Sequence, residues 1–287
     1  MLRWKIGAFT ITSVVESEAP TSPRFLFADL DKKAVLAIAG RKPWLSPNFV
    51  SPEGFLLQKI HALVIDGGGR RIIVDTCIGN DKERHNPGWA HLQGPFLDDL
   101  TAAGYPPESI DTVICTHLHV DHVGWNTKLV DGRWVPTFPN ARYLFVKPEF
   151  EHWQVAPDIN GDETFADSVA PIHEAGLADL VSTSHEVCPG IHYEPTPGHT
   201  PGHVSLVIES EGQRAVITGD MIHTPLQIAA PEHSSMFDTD PDMARHTRKA
   251  FLDRWSDAST LIIGTHFGSP TAGTLTADGD GAYTLHC

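Results

Sequence analysis

Four side chains of metal-binding type fall within six positions of this 287-residue sequence: His117, His119, Asp121 and His122, in the run Thr116-His117-Leu118-His119-Val120-Asp121-His122. Neutral imidazoles and carboxylates are the donors that zinc and related divalent ions take. In extended backbone, residues two apart point the same way, so His117 and His119 are expected to grip one ion. Asp121 and His122, past the strand end, are expected to turn toward a second. Zinc wants about four ligands and a catalytic ion keeps one place for water, so further donors must come from later in the chain. Three places offer them. Pro197-Gly198-His199-Thr200-Pro201-Gly202-His203 is a glycine- and proline-rich turn in which either histidine could serve. Thr218-Gly219-Asp220 brings a carboxylate that can bridge two ions through its two oxygens, and Gly264-Thr265-His266 brings an imidazole. Histidine occurs 17 times in all, which suits metal or acid/base chemistry. The four cysteines (Cys77, Cys115, Cys188, Cys287) form no C-x-x-C pair and read as neither a zinc site nor a thiol redox motif.

These donors need elements to hold them. Ile6 to Val15 reads as a strand, and Ile60 to Ile65 and Arg71 to Thr76 as a hairpin turned by Asp66-Gly67-Gly68-Gly69. Phe96, Leu97 and Leu100 share a helix face that Gly104 and Pro106 terminate. Ile110 to Cys115 then forms a strand running into the histidine cluster. Further strands are expected at Tyr143 to Val146, His203 to Ile208, Ala215 to Thr218 and Leu261 to Ile263. Asp240 and Pro241 should open a helix that runs to about Trp255. Residues 19–53 hold five prolines among Phe25, Phe27, Trp44 and Phe49, too apolar for a free linker. This stretch is expected either to pack as a loop over a core edge or to act as an N-terminal lid or dimer arm. Arg71 to Cys115 thus makes a strand, helix, strand unit, and with no repeat of 20 to 50 residues and no low-complexity tract the sequence reads as one domain, 1–287.

Composition removes several classes. Lys plus Arg number 21 against 36 Asp plus Glu, a net charge of −15, the wrong sign for nucleic acid or an anionic membrane. No stretch has the roughly 18 uncharged apolar residues of a membrane span. Lys5 and Glu16 interrupt what would be the apolar region of a signal peptide, so a cytoplasmic location is expected.

The ordered set H-x-H-x-D-H, G-H-T-P-G-H, G-D and G-T-H, spread over roughly Leu57 to His266, resembles the metallo-β-lactamase superfamily. The resemblance implies a four-layered αββα sandwich with the site at one edge of its two sheets. By motif it assigns His117, His119 and His199 to a first metal and Asp121, His122 and His266 to a second, with Asp220 bridging. His199 is preferred over His203 as the first histidine of G-H-x-x-G-H. Asp75, in Val74-Asp75-Thr76-Cys77, matches an aspartate that supports the site, and Cys77 stands where glycine is usual. Two divalent ions, zinc first among them, with two carboxylates and one hydroxide sum to about +1, so a water between them ionises near neutral pH. The implied reaction is hydrolysis of an activated ester, lactone, amide or phosphoester, with metal-bridging hydroxide as nucleophile.

Within the superfamily the sequence is most similar to the quorum-quenching N-acyl homoserine lactonases and to methyl-parathion-hydrolase-like enzymes. That similarity implies a hydrolase of lactones or carboxylic esters acting on a small neutral or apolar substrate, and a possible homodimer. The lactonases carry a tyrosine three residues after the bridging aspartate; here the position is His223, expected either to hold the substrate carbonyl or to lie behind the site. Asp121, Asp220 and His223 are therefore the expected catalytic set. An organophosphate triesterase is the alternative, with a mononuclear-iron sulfur dioxygenase behind it. Phe25, Phe27, Trp44 and Trp125 could line an acyl pocket or serve as core.

Overall fold

The computed structural model describes residues 1–157, 161–279 and 281–287. In chain order the elements are β1 (Arg3–Ile6), β2 (Phe9–Thr21), α1 (Pro23–Leu26), α2 (Lys32–Arg41), β3 (Leu56–Gly67), β4 (Arg70–Val74), α3 (Phe96–Ala102), β5 (Thr112–Ile114) and α4 (Val120–Val123). There follow β6 (Thr127–Val130), β7 (Arg133–Pro136), β8 (Arg142–Val146), α5 (Lys147–Trp153), α6 (Ala170–Glu174), β9 (Ala178–Val181), β10 (Glu186–Cys188) and β11 (Ile191–Pro195). The chain closes with β12 (Val204–Ser210), β13 (Gln213–Ile217), α7 (Leu226–Ala229), α8 (Pro241–Trp255), β14 (Asp257–Ile263), β15 (Ala272–Gly279) and β16 (Ala282–His286).

Among the described residues these strands form two seven-stranded sheets, in the orders β1-β2-β3-β4-β5-β8-β9 and β10 through β16, with β6 and β7 as a separate ribbon. By contacts the chain divides into two compact units, Met1–Glu16 with Ile60–Thr183, and Ser17–Lys59 with Ser184–Cys287. In the first, β3 and β4 form the expected hairpin, with Val64 opposite Ile73. Its turn residues Gly68 and Gly69 both take left-handed φ (59° and 76°), the conformation a two-residue hairpin turn needs and glycine adopts freely. From β4 the pairing turns parallel, Ile73 against Val113 and Val113 against Tyr143. Ile60, Ala62 and Val64 alternate into a core closed by Phe96, Leu100, Tyr143, Phe145 and Phe150.

In the second unit β13 and β14 pair in parallel, Val216 against Ile262. Helix α8 starts where expected, Asp240 accepting the Met243 N–H at 3.0 Å ahead of Pro241. Its buried face is Ala244, Arg248, Phe251, Leu252 and Trp255, a helical stripe with one arginine in it. The proline-rich stretch departs from a plain loop: Asp31 caps α2 by accepting the Ala34 N–H at 2.9 Å. Leu26, Phe27, Leu30, Val35, Ile38, Leu45, Phe49 and Val50 lie in the core of the second unit. Phe25 is exposed and Trp44 half-buried, whereas Trp125 is buried in the first unit and stacked on Phe96 at 5.7 Å. Among the described residues no helix is long and apolar enough to cross a membrane.

Candidate functional site

The first unit carries the dense run of donors. Strand β5 ends at Ile114, so His117 lies in a bend beyond it, whereas His119, at the position just before α4, keeps the extended backbone expected from the sequence (φ −73°, ψ 160°). The bend still brings His117 Nε2 to 3.1 Å from His119 Nδ1. Asp121 and His122 sit on the first turn of α4, with Asp121 Oδ1 3.7 Å from His122 Nε2. The imidazoles are oriented from behind. His122 donates its Nδ1–H to Asp75 Oδ2 at 2.9 Å, which leaves Nε2 as the lone-pair atom. Asp75 also accepts the Thr116 N–H at 2.8 Å and the Thr116 hydroxyl at 2.9 Å, and the Thr116 Oγ1 lies 3.1 Å from His117 Nδ1. One carboxylate thus fixes two of the imidazoles. Asp75 and Cys77 both take left-handed φ, 54° each. That backbone is where a glycine sits without penalty; the cysteine adopts it at a cost of roughly 1 kcal/mol. Burial pushes the Cys77 thiol well above its ordinary value, so it stays protonated.

Two supports here left no signal before folding. Glu149 on α5 is fully buried and accepts the Leu118 N–H (3.2 Å), between the two histidines, and the Trp153 indole N–H (2.6 Å). The Trp153 ring lies edge-on to His119 at 5.1 Å. Glu16 gathers the amides of Ile78 (2.8 Å) and Gly79 (3.1 Å) and the Trp125 indole (2.6 Å). Burial raises its carboxyl above the usual range against those three hydrogen bonds.

In the second unit the donors come from separate turns. His199 follows Gly198, whose φ of 127° and close approach to Ala244, 2.3 Å from where a Cβ would stand, admit only glycine. His199 donates its Nδ1–H to Asp238 at 2.9 Å, and His266 donates its own to the Lys59 carbonyl at 2.9 Å. Asp220 Oδ1 accepts the Thr265 hydroxyl at 2.9 Å. Its other oxygen, Oδ2, is where three imidazoles converge: Nε2 of His266 at 3.2 Å, of His223 at 3.4 Å and of His199 at 3.8 Å. His203 is differently engaged. Its Nε2 accepts the Asp220 N–H at 2.9 Å and its Nδ1 meets the Thr196 hydroxyl at 2.8 Å, so it holds the backbone of Asp220 in place of facing Oδ2.

Residues 58–280 match the model of the metallo-β-lactamase superfamily. The chain belongs to that superfamily. Proteins of known structure share its fold: the hydrolase AbOPH, in the beta lactamase superfamily, superposes over 99% of this chain and 96% of its own, with a TM-score of 0.80 at 26% identity. AidC, a dizinc quorum-quenching lactonase in complex with a product N-hexanoyl-L-homoserine, covers 100% of this chain and 97% of its own with a TM-score of 0.77 at 19% identity. By sequence, an N-acyl homoserine lactonase of Bacillus sp is 32% identical over 122 residues, 42% of this chain and 42% of that protein. The chain therefore matches less than half the length of the curated lactonases it resembles. The expected α/β metallo-β-lactamase fold is present.

Two ligands on one tetrahedral ion, with bonds of roughly 2.0–2.1 Å, stand roughly 3.3 Å apart. The 3.1 Å between His117 Nε2 and His119 Nδ1 and the 3.2 Å from Asp220 Oδ2 to His266 Nε2 match that spacing, while His199 to Asp220 at 3.8 Å and Asp121 to His122 at 3.7 Å stand somewhat wider. His223 is 3% exposed, and neither ring nitrogen has a hydrogen-bond partner among the described residues. Burial pushes its pKa down to about 3, so the ring is neutral. Asp238 is the functional neighbour the sequence reading missed. It lies 39 residues from His199, in a loop with no motif, and burial raises its carboxyl above the usual value while the nearby charge of Arg248 opposes the shift.

Proposed function

We propose that this chain is a dinuclear metal-dependent hydrolase of lactones or carboxylic esters. The order of the superfamily's motifs assigns His117, His119 and His199 to one divalent ion and Asp121, His122 and His266 to another, with Asp220 shared. When bound, the ions, zinc by the donor set of imidazole and carboxylate, supply Lewis-acid polarisation of the ester and a water activated near neutral pH.

The protein's own share is positioning. Asp75, Asp238 and the Lys59 carbonyl hold three imidazoles with Nε2 presented, and Thr265 and His203 hold Asp220 from its side chain and its backbone. The observation that carries the substrate reading is His223. It is a buried, neutral imidazole without a hydrogen-bond partner, 3.4 Å from the oxygen on which the other donors converge. A polar group left unpaired in the interior costs about 1–3 kcal/mol until something pairs with it. Its N–H suits the carbonyl oxygen of an ester or lactone, whose growing negative charge in the transition state the donor would stabilise. The likeness to N-acyl homoserine lactonases supports that class, and a net charge of −15 favours a neutral substrate over an anionic one.

The test is kcat/KM for an acyl homoserine lactone, an aryl ester and an aryl phosphotriester under one condition, with elemental analysis of the same preparation. Two divalent ions per chain and carbonyl substrates ahead are expected. His223→Phe should lower lactone kcat/KM by roughly 10²-fold, the usual loss for one transition-state donor, without changing metal content. A phosphotriester rate tenfold above both carbonyl substrates would give the site to organophosphates. A single iron per chain with oxygen consumed on a persulfide would remove the hydrolase reading.

A further inference from the structure

Arg248 lies in the buried stripe of α8, fully shielded from solvent. Desolvating a guanidinium costs several kcal/mol, and a well-packed apolar residue often serves a core equally well. What Arg248 does with its donors is specific. Nη1 donates to the Met221 carbonyl at 2.9 Å, Nε to Pro231 at 3.1 Å and Nη2 to His233 at 2.9 Å. Met221 is the residue after Asp220 and ends the short turn Gly219–Met221. Pro231 and His233 belong to the connection between α7 and α8, which also carries Asp238, the partner of His199.

The second of these segments is tied onward to His223. The His233 carbonyl also receives Gln227 Nε2 at 3.0 Å, and Gln227 Oε1 accepts the His223 N–H at 2.8 Å. The His223 carbonyl accepts Gln58 Nε2 at 3.0 Å. Both backbone groups of His223 are therefore held by glutamine side chains, and one of those glutamines is locked by the same carbonyl that Arg248 holds. Met221 O, by contrast, is held by Arg248 directly. The planar fork can serve carbonyls from two segments at once, which a lysine ammonium on a flexible stem does less well.

We propose that Arg248 is a positioning residue of the proposed hydrolytic site, fixing Asp220 through Met221 and His223 through His233 and Gln227, so that Oδ2 of Asp220 and the His223 ring keep their places without a ligand. This rests on the reading of Asp220 as a metal donor. A buried helix arginine is thereby given a task in ion affinity and not only in packing.

The experiment compares wild type, Arg248→Met, Arg248→Lys and Gln227→Leu. Zinc dissociation constants come from chelator competition, coordination from the visible spectrum of the cobalt(II)-substituted protein, and folding from circular dichroism and Tm. Arg248→Met should weaken the less tightly held ion by roughly 10- to 100-fold, the range for loss of a group that orients metal ligands, and shift the cobalt bands. Arg248→Lys should recover only part of that loss. Gln227→Leu should keep zinc affinity near wild type and lower lactone kcat/KM about tenfold, because it frees His223 and not Asp220. A folded Arg248→Met that binds both ions as wild type does, with an unchanged cobalt spectrum, overturns the proposal whatever happens to its Tm. If Arg248→Met does not fold, Arg248→Lys decides, and wild-type zinc affinity there overturns it equally. Absence of divalent-ion binding by the wild type would instead refute the hydrolase reading beneath it.

Discussion

In the first unit four donors sit within six consecutive residues, and a single carboxylate, Asp75, orients His122 directly and His117 through Thr116. In the second unit the donors His199, Asp220 and His266 come from three separate turns, and each has its own support: Asp238, Thr265 with His203, and the Lys59 carbonyl. A local cluster gains most of its geometry from chain connectivity, with Glu149 bracing Leu118 between its histidines, so its weakness is concentrated mainly in Asp75. A dispersed set must be assembled by tertiary contacts, so its supports are many and each carries a share.

The largest effect should come from the residue on which the dispersed set converges. Asp220→Ala removes the oxygen facing three imidazoles and one negative charge, and should cost one bound ion and roughly 10²-fold or more in turnover, read by elemental analysis and kcat. His203→Ala leaves the Asp220 N–H without its acceptor, a stability loss of about 1–3 kcal/mol, but should keep both ions. Loss of metal in His203→Ala together with its retention in His199→Ala would reverse the roles given to these two histidines.

Next come the two carboxylates behind the imidazoles. Asp75→Asn disturbs three hydrogen bonds of the local cluster at once, whereas Asp238→Asn disturbs those to His199 and the Ser235 amide. Zinc affinity should fall by about 100-fold in the first and about tenfold in the second. Equal losses in a chelator titration would mean that the two units do not differ in how they hold their donors.

The same contrast governs what could be read before folding. The run His117 to His122 shows its chemistry in six letters, the Gly67-Gly68-Gly69 turn announces a hairpin, and Asp240-Pro241 announces α8; each is a local rule with a local cause. The metallo-β-lactamase fold was legible from the order of such motifs. In residues 19–53 the packing of an apolar stretch was legible but α2 was not, because its capping aspartate and helical run lie between prolines. Nor were Asp238, Gln227 and Arg248. Their roles exist only once a carbonyl or imidazole from dozens of residues away is at hand, and an arginine on a polar helix carries no mark that it faces inward.

Each unit also buries cations, and they differ in kind. Arg248 is answered by backbone carbonyls, while Lys82 and Arg84 of the first unit share Asp167, with Lys82 Nζ also bonded to Thr127 at 2.7 Å and Ser168 at 2.9 Å. Burial pulls Lys82 from its ordinary 10.5 down to about 8 and Arg248 down to about 10. Between pH 8 and 10.5 the unfolded chain keeps a proton on Lys82 that the folded chain has released, so folding stability from this group rises with pH across that window and the gain is lost as pH falls through 8. By pH 9.5 the gain relative to pH 7.5 is about 2 kcal/mol, at 1.36 kcal/mol per unit of separation. Lys82→Met cannot make that gain, so urea unfolding at pH 7.5 and 9.5 should show wild type pulling ahead of the variant by about that amount. Thiols and tyrosines titrating in the same range are common to both proteins and cancel in the difference. The gap between wild type and Arg248→Met should change much less over this range, because the guanidinium stays largely charged. Parallel wild-type and Lys82→Met curves would show that the lysine titrates alike folded and unfolded, and would remove the distinction between a cation answered by a carboxylate and one answered by carbonyls.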